Sequence, residues 1–145
     1  MATMRLEIVT AERSVYSEDV NVLVAPGIDG ELGILPRHAP LLTALKPGEI
    51  RVFRDGEESY ISVSGGFMEV IGNKVIILAD TAEHAEEINI ERAEEALRKA
   101  QERIAARSSD FDLERAMIAA RRSQARLKVA RRRRRRREGS SPSSG

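Results

Sequence analysis

The chain has 145 residues, of which 24 are Lys or Arg and 23 are Asp or Glu, for a formal net charge of +1. That length suits one domain, or one small domain with an appendage, and the absence of cysteine rules out a disulfide framework or a thiolate metal site. No apolar run reaches the roughly 18 residues a membrane-spanning helix needs, and Met1-Ala2-Thr3-Met4-Arg5 does not open a signal-peptide pattern. A cytoplasmic chain is expected, with any membrane association running through a protein partner.

Up to about residue 80 the apolar side chains alternate, which is the period of a half-buried strand. Met4, Leu6 and Ile8 set the pattern, and Val20, Val22 and Val24 repeat it. Residues 49–54, 59–63 and 67–71 are further strands, and 74–79 is apolar enough to predict burial on both faces. Asp55-Gly56 and Gly72-Asn73 lie between strands, where hairpin turns demand the positive φ that Gly and Asn accept cheaply. Short strands at this spacing predict an antiparallel sandwich or barrel over residues 1–87.

From residue 88 the period changes. Ile90, Ala93, Leu97, Ala100 and Ile104 step by 3 and 4, as do most of Leu113, Ala116, Ala120, Leu127 and Ala130 after an interruption at 107–110. Asn89 is placed to cap the first helix, and Ser109 or Asp110 the second. Two amphipathic helices with a short polar link predict an antiparallel hairpin over 88–137, so the fold class is α+β. The seam is rich in alanine, which buries little apolar area per residue, so the hairpin is expected to be weakly held and a hinge near 84–89 cheap. Residues 138–145 have the composition of a disordered tail.

The small net charge conceals a strong asymmetry. Residues 1–87 hold 7 basic and 15 acidic side chains, whereas 88–145 hold 17 basic and 8 acidic. Seven consecutive arginines, Arg131 to Arg137, end the second helix. Polarity of this kind concerns partners and steering rather than fold.

Catalytic chemistry is hard to place on this chain. Its two histidines, His38 and His84, are far apart and have no acidic partners at metal-ligand spacing. There is no phosphate loop and no nucleophile elbow. Gly65-Gly66 leads into a strand, not a helix N-terminus, so it reads as a turn or bulge. No catalytic residue, metal site or required cofactor is assigned.

The stretch Gly30-Glu31-Leu32-Gly33-Ile34-Leu35-Pro36-Arg37-His38-Ala39-Pro40-Leu41 resembles the most recognisable segment of bacterial F-type (rotary) ATP synthase ε subunits. Ser64-Gly65-Gly66-Phe67-Met68-Glu69-Val70 and Ile77-Leu78-Ala79-Asp80-Thr81-Ala82-Glu83 resemble that family's second and third signatures, in family order and spacing. The resemblance implies about ten strands in the sandwich, and a non-catalytic place in the central stalk. There it would join the γ subunit to the membrane rotor ring of c subunits, peripheral on the cytoplasmic face of the cell membrane. Glu31 and His38 fall in what the family uses as a ring-facing loop.

In that family the hairpin either folds onto the sandwich or extends along γ. When extended, its basic second helix meets the catalytic β subunit and opposes ATP hydrolysis. The matching basic residues here are Arg115, Arg121, Arg122, Arg126 and Lys128. Some members bind ATP as a regulatory ligand in the folded state. The matching positions are Glu83, Asn89, Arg92, Lys99, Arg122 and Arg126, with Asn89 in place of aspartate and Lys99 in place of arginine. Asn89 keeps an acceptor but loses charge, and Lys99 loses the planar fork, so weakened ATP binding is expected.

The arginine run has several readings of its own: a solvated tail, reinforcement of β-subunit docking, contact with anionic lipid, or nucleic acid bound through counterion release. A basic-tailed protein binding nucleic acid or an anionic surface is the rival function. It lacks a recognition motif and a stacking platform, with aromatics at 3% of the chain.

Overall fold

The computed structural model describes the backbone of residues 2–106 and 110–139, and side chains at 2–106 and 112–132. Ten strands come first: β1 (Met4–Val9), β2 (Ser14–Val20), β3 (Val22–Gly27), β4 (Gly30–Ile34) and β5 (Leu41–Leu45), then β6 (Gly48–Arg54), β7 (Glu57–Val63), β8 (Gly66–Ile71), β9 (Lys74–Ala79) and β10 (Ala82–His84). A single 3-10 turn, Ala85–Glu87, leads into helices α1 (Ile90–Ala106) and α2 (Asp110–Gly139). The expected α+β architecture is therefore the observed one.

The strands form one sheet in the order β10-β7-β6-β3-β5-β8-β9-β1-β2, with β4 also on β3. A single residue pair, Gly27 with Leu45, joins β3 to β5, and there the sheet turns from one layer into the next. All the pairings are antiparallel except β1 with β9, which run parallel from Arg5–Lys74 to Val9–Leu78. Leu6, Ile8, Leu23, Ile34, Ile50, Ile61, Met68 and Ile77 fill the space between layers, each essentially inaccessible. Truncating any one of them to alanine costs about 2–5 kcal/mol.

The turns follow the expected chemistry. Asp55 and Gly56 have φ of 51° and 80°, and Gly72 and Asn73 have 57° and 61°, the doubly positive pattern of tight hairpins. At Gly66 (φ 143°) a methyl group would overlap the Leu78 carbonyl oxygen and lie 2.8 Å from Ala79 Cα. Two backbones meet there, and glycine is what lets them.

Two strand expectations need correction. Val20, Val22 and Val24 do not share a face, because Asn21 makes a corner between β2 and β3. Its Nδ2 donates to the Ala2 carbonyl (3.0 Å), and its Oδ1 accepts from Asp55 N (2.8 Å). The corner resets the alternation, so Leu23 and Ala25 face the core and Val22 and Val24 face out. Nor is β9 buried on both sides: Val75, Ile77 and Ala79 are buried, but Leu78 is 56% exposed.

In the helical part the Asn89 cap forms as expected, its Oδ1 accepting from Arg92 N at 3.0 Å. Ala93 and Ala100 of α1 and Ala116, Ala120 and Leu127 of α2 are buried, as the periodicity requires. The expected tail needs a correction at its start. Arginine is a good helix former, and α2 runs on through Glu138 and Gly139. Residues 140–145, and Ser109 as a candidate cap, lie outside the described residues.

Candidate functional site

The helices meet the sandwich through α2. Its Val129 and Ala130 pack with Ala85 and Ile88, flanked by Tyr60 and Ile90. That apolar contact is small, and charged groups supply the rest of the junction. Arg126 makes a fork onto Glu83 of β10, with Nε donating to Oε1 at 2.7 Å and Nη2 to Oε2 at 3.2 Å. Two-point pairing of this kind is the strongest arrangement a guanidinium and a carboxylate have. Arg13, from the β1–β2 turn, donates to Glu87 at 2.8 Å.

A third contact lies further along α2. Arg132, the second arginine of the run, places Nε 2.6 Å from Glu49 Oε2 and its guanidinium carbon 5.3 Å from the centre of the Tyr60 ring. Glu49 also lies 3.9 Å from Arg51, whose other nitrogen reaches Glu31 at 3.2 Å. In β6, Ile50 and Val52 point into the core, so Glu49 points outward. Its side chain is nonetheless only 4% exposed. With α2 lying across β6 and β7, that cover is the helix.

Beside this junction runs a cleft of about 620 Å³, lined on the sandwich side by Thr10, Arg13, Ser64, Asp80 and Thr81 among others. Glu83, Arg122 and Arg126 also line it. Three of the six candidate nucleotide residues therefore share one cleft. Asn89, Arg92 and Lys99 do not line it: Asn89 caps α1, Arg92 is exposed on it, and Lys99 pairs with Glu95 at 3.6 Å. Arg126 is already engaged by Glu83, so an incoming phosphate would compete with an internal carboxylate.

The five basic residues assigned to α2 divide between its sides. Arg122 and Arg126 face the cleft with Glu83, and Arg115 joins Arg122 and Arg103 in a groove at the far end of the hairpin. Arg121 and Lys128 face a separate groove with Glu31, Pro47 and Glu49. Glu31 is thus on strand β4 beside α2, not in a loop with His38, which corrects the expectation that the two share one. His38 lies in the turn beyond the other end of β4. That turn is tied down by Asn73, whose Oδ1 accepts from Arg37 N (2.9 Å) and whose Nδ2 donates to the Thr3 carbonyl (2.9 Å).

Both histidines have structural partners. His84 Nε2 lies 2.7 Å from the Val15 carbonyl and His38 Nδ1 lies 2.7 Å from that of Ala39. A carbonyl only accepts, so each of those nitrogens carries its proton. Among the described residues no group of histidine and carboxylate side chains is arranged to hold a metal ion. The phenol of Tyr60 is pushed above its ordinary value, chiefly by burial and next by its hydrogen bond to Glu58, while Arg132 pulls it down. Tyr16 is also raised, again by burial first.

Sequence reasoning missed Glu49, Tyr60 and the inward role of Arg132. A signal existed for the last: Arg132 follows buried Ala125 and Val129 by 7 and 3, on one helical stripe. Nothing local marks Glu49, because its cover comes from a distant segment.

On the opposite layer, β5, β8 and β9 turn Leu42, Phe67, Ile71 and Leu78 outward, with exposures of 71%, 58%, 56% and 56%. Phe67 pairs directly across from Leu78. Exposed Glu69 lies among them, opposite Leu42, and Phe67 also lines a shallow groove with Ile118 and Arg121 of α2; the face is otherwise apolar and open in the described chain.

Comparison with known proteins agrees with both halves. Residues 3–85 match the family profile described as the β-sandwich domain of the ATP synthase delta/epsilon chain, and 86–131 match its long α-helix domain. The ATP synthase epsilon chain of Desulforamulus reducens is 51% identical over 128 residues, 88% of this chain and 97% of that one. The epsilon chain of Herpetosiphon aurantiacus is 53% identical over 130 residues, 90% and 96% of the two chains. Among solved structures, a chain of the Euglena gracilis mitochondrial ATP synthase superposes with a TM-score of 0.79 at 25% identity, covering 90% of this chain and 82% of that one. On this combination of sandwich, helical hairpin and sequence identity, the chain belongs to the delta/epsilon chain family of ATP synthases, as an epsilon chain.

Proposed function

We propose that this chain is a non-catalytic rotor part of a proton-translocating ATP synthase, coupling γ to the membrane ring and restraining ATP hydrolysis through its helical hairpin. The observation that carries the reading is the two-sidedness of the sandwich. One outer face holds the hairpin through ion pairs, and the other presents Leu42, Phe67, Ile71 and Leu78 bare. Uncovered apolar faces of this kind are what partner surfaces bury. The central-stalk and F1/c-ring assemblies that contain the similar solved chains support γ as that partner.

The rest of the reading follows from placement. The clamped turn carrying His38 rests on the polar loops of the c subunits, with Glu31 (62% of its side chain exposed) offering a further contact. The chain is then peripheral on the cytoplasmic face of the membrane. When the hairpin leaves the sandwich, Arg115, Arg121, Arg122, Arg126 and Lys128 become available to an acidic surface on the catalytic β subunit. ATP, a regulatory ligand rather than a required cofactor, enters the cleft of Glu83, Arg122 and Arg126 by displacing the Glu83 fork. Binding is weak, because the fork must break and Asn89 spends its acceptor on the helix cap.

Deleting residues 88–145 tests this. The complex should still assemble, since the apolar face is untouched, and should hydrolyse ATP faster. Hydrolysis at the parental rate by a fully assembled truncated complex would defeat the regulatory part of the reading.

A further inference from the structure

We propose that Glu49 and Tyr60 form a guanidinium-binding site on the sandwich whose resident ligand is Arg132, and that this site latches the hairpin without help from nucleotide. The inference rests on the reading that the hairpin moves. It adds where the closing contact is and which chemistry makes it.

The geometry is that of a built site rather than a surface ion pair. Glu49 Oε2 lies 2.6 Å from Arg132 Nε, an ion pair without aligned hydrogen-bond geometry. The Tyr60 ring faces the guanidinium carbon at 5.3 Å. A planar cation between a carboxylate and an aromatic face is satisfied in two ways at once, which an ammonium reproduces poorly. The carboxylate is 4% exposed, although its position on β6 directs it away from the core. Burying a charge is tolerable only where a counter-charge comes with it. Here the cover and the counter-charge arrive on the same helix. Arg51, at 3.9 Å, is shared with Glu31 at 3.2 Å and is the weaker neighbour.

Two consequences follow. With Arg132 gone, closing the hairpin would bury Glu49 with only its distant partner, so the closed state loses more than one contact. With the hairpin open, Glu49 is solvated and the socket is free for another guanidinium. Closure should therefore respond to guanidinium compounds beyond the screening that any salt produces. Arg131, the other arginine of the run whose side chain is described, is exposed. Arg132 continues the stripe of Ala125 and Val129.

The absence of cysteine makes the test direct. A dye pair on Asp29→Cys in the sandwich and Gln101→Cys on α1, both exposed sites, reports the open-to-closed ratio of the full chain by energy transfer. Arg132→Ala should raise that ratio at least about tenfold, and Arg132→Lys less. Glu49→Gln should also raise it, yet in the Arg132→Ala background it should lower the ratio part of the way back, because it removes the carboxylate that closure would bury without its counter-charge. Arginine amide should open the parental chain at lower concentration than lysine amide at equal ionic strength. Circular dichroism and thermal melting keep misfolded variants out of the comparison. An unchanged ratio in Arg132→Ala, additive effects of the two substitutions, equal potency of the two amides, or a parental chain already open would each overturn the site. Hydrolysis by the assembled complex is read separately. If Arg132→Ala opens the hairpin while hydrolysis stays parental, the latch stands and the regulatory reading falls.

Discussion

Replacing Phe67 by alanine should separate the γ-binding face from the fold. Phe67 is 58% exposed and lies opposite Leu78 on the next strand. A phenylalanine buries about 200 Å² when fully covered, so roughly 110–120 Å² remains for a partner to remove from water. At about 25 cal/mol per Å² that is ~3 kcal/mol. An alanine methyl recovers a small part, which leaves a loss of about 2–2.5 kcal/mol, or roughly a 30- to 70-fold weaker Kd. The chain itself should lose little, because two cross-strand pairs, with Leu78 and Ala44, are weakened and such pairs are worth about 0.2–1 kcal/mol each. Titration calorimetry with the cognate γ chain gives the affinity and thermal melting gives the stability. Met117→Ala on α2, 41% exposed, serves as a control that should leave γ affinity unchanged. A well-folded Phe67→Ala chain that binds γ with the parental Kd would show that this face is not where γ sits.

Three further outcomes are expected. Gly66→Ala should destabilise the sandwich by about 3 kcal/mol or more, since φ is 143° and the methyl group would overlap the Leu78 carbonyl; a melting temperature within 2 °C (roughly 1 kcal/mol or less for a domain this size) would contradict that. In a Tyr16→Phe background the Tyr60 phenolate should form above its ordinary value of 10.0, because burial is the largest influence, and deleting residues 88–145 should bring it back down. The sign of the linkage follows: the raised value favours the folded chain below pH 10 and is lost as the pH climbs through the folded value. A titration that ignores the deletion would mean that the hairpin does not cover Tyr60. Calorimetry at millimolar ATP should show weak heat that vanishes in Arg122→Ala/Arg126→Ala, and no heat from the parental chain would eliminate the nucleotide site.

The sandwich was legible where alternation and turn chemistry agree, as in β6 and β8 with Asp55-Gly56 and Gly72-Asn73. It was misread where a single residue interrupts the period. Asn21 takes a corner on side-chain hydrogen bonds, and no hydropathy pattern registers that, so Val22 and Val24 were given the wrong face. The strand β9 fails for another reason. Ile76 and Leu78 are apolar because a face is left bare, and a single sequence gives the same signal for a residue buried by its own chain and one kept for a partner. The α1–α2 seam was legible from its period, whereas the attachment of α2 to the sandwich was not. Glu49 and Arg132 are 83 positions apart, and charges look alike whether solvated or covered. The run of arginines drew attention as a whole and hid Arg132, which reaches back to the sandwich.

That attachment has the energetics a switch needs. Inverting a two-state population from 1:99 to 99:1 takes about 5.5 kcal/mol of differential binding. A junction sealed by leucines would exceed what a nucleotide or a neighbouring subunit can offset. One made from alanine alone would never stay shut. Here Val129 and Ala130 bury modest area against Ala85 and Ile88, and the half-exposed pair Arg13–Glu87 adds little. Most of the discrimination then falls on two arginine contacts, Arg126 on Glu83 and Arg132 on Glu49. Each can be exchanged for another anionic partner at nearly constant charge. A rival acidic surface need not unfold anything to open the hairpin; it has only to offer these two guanidiniums better carboxylates than the sandwich does.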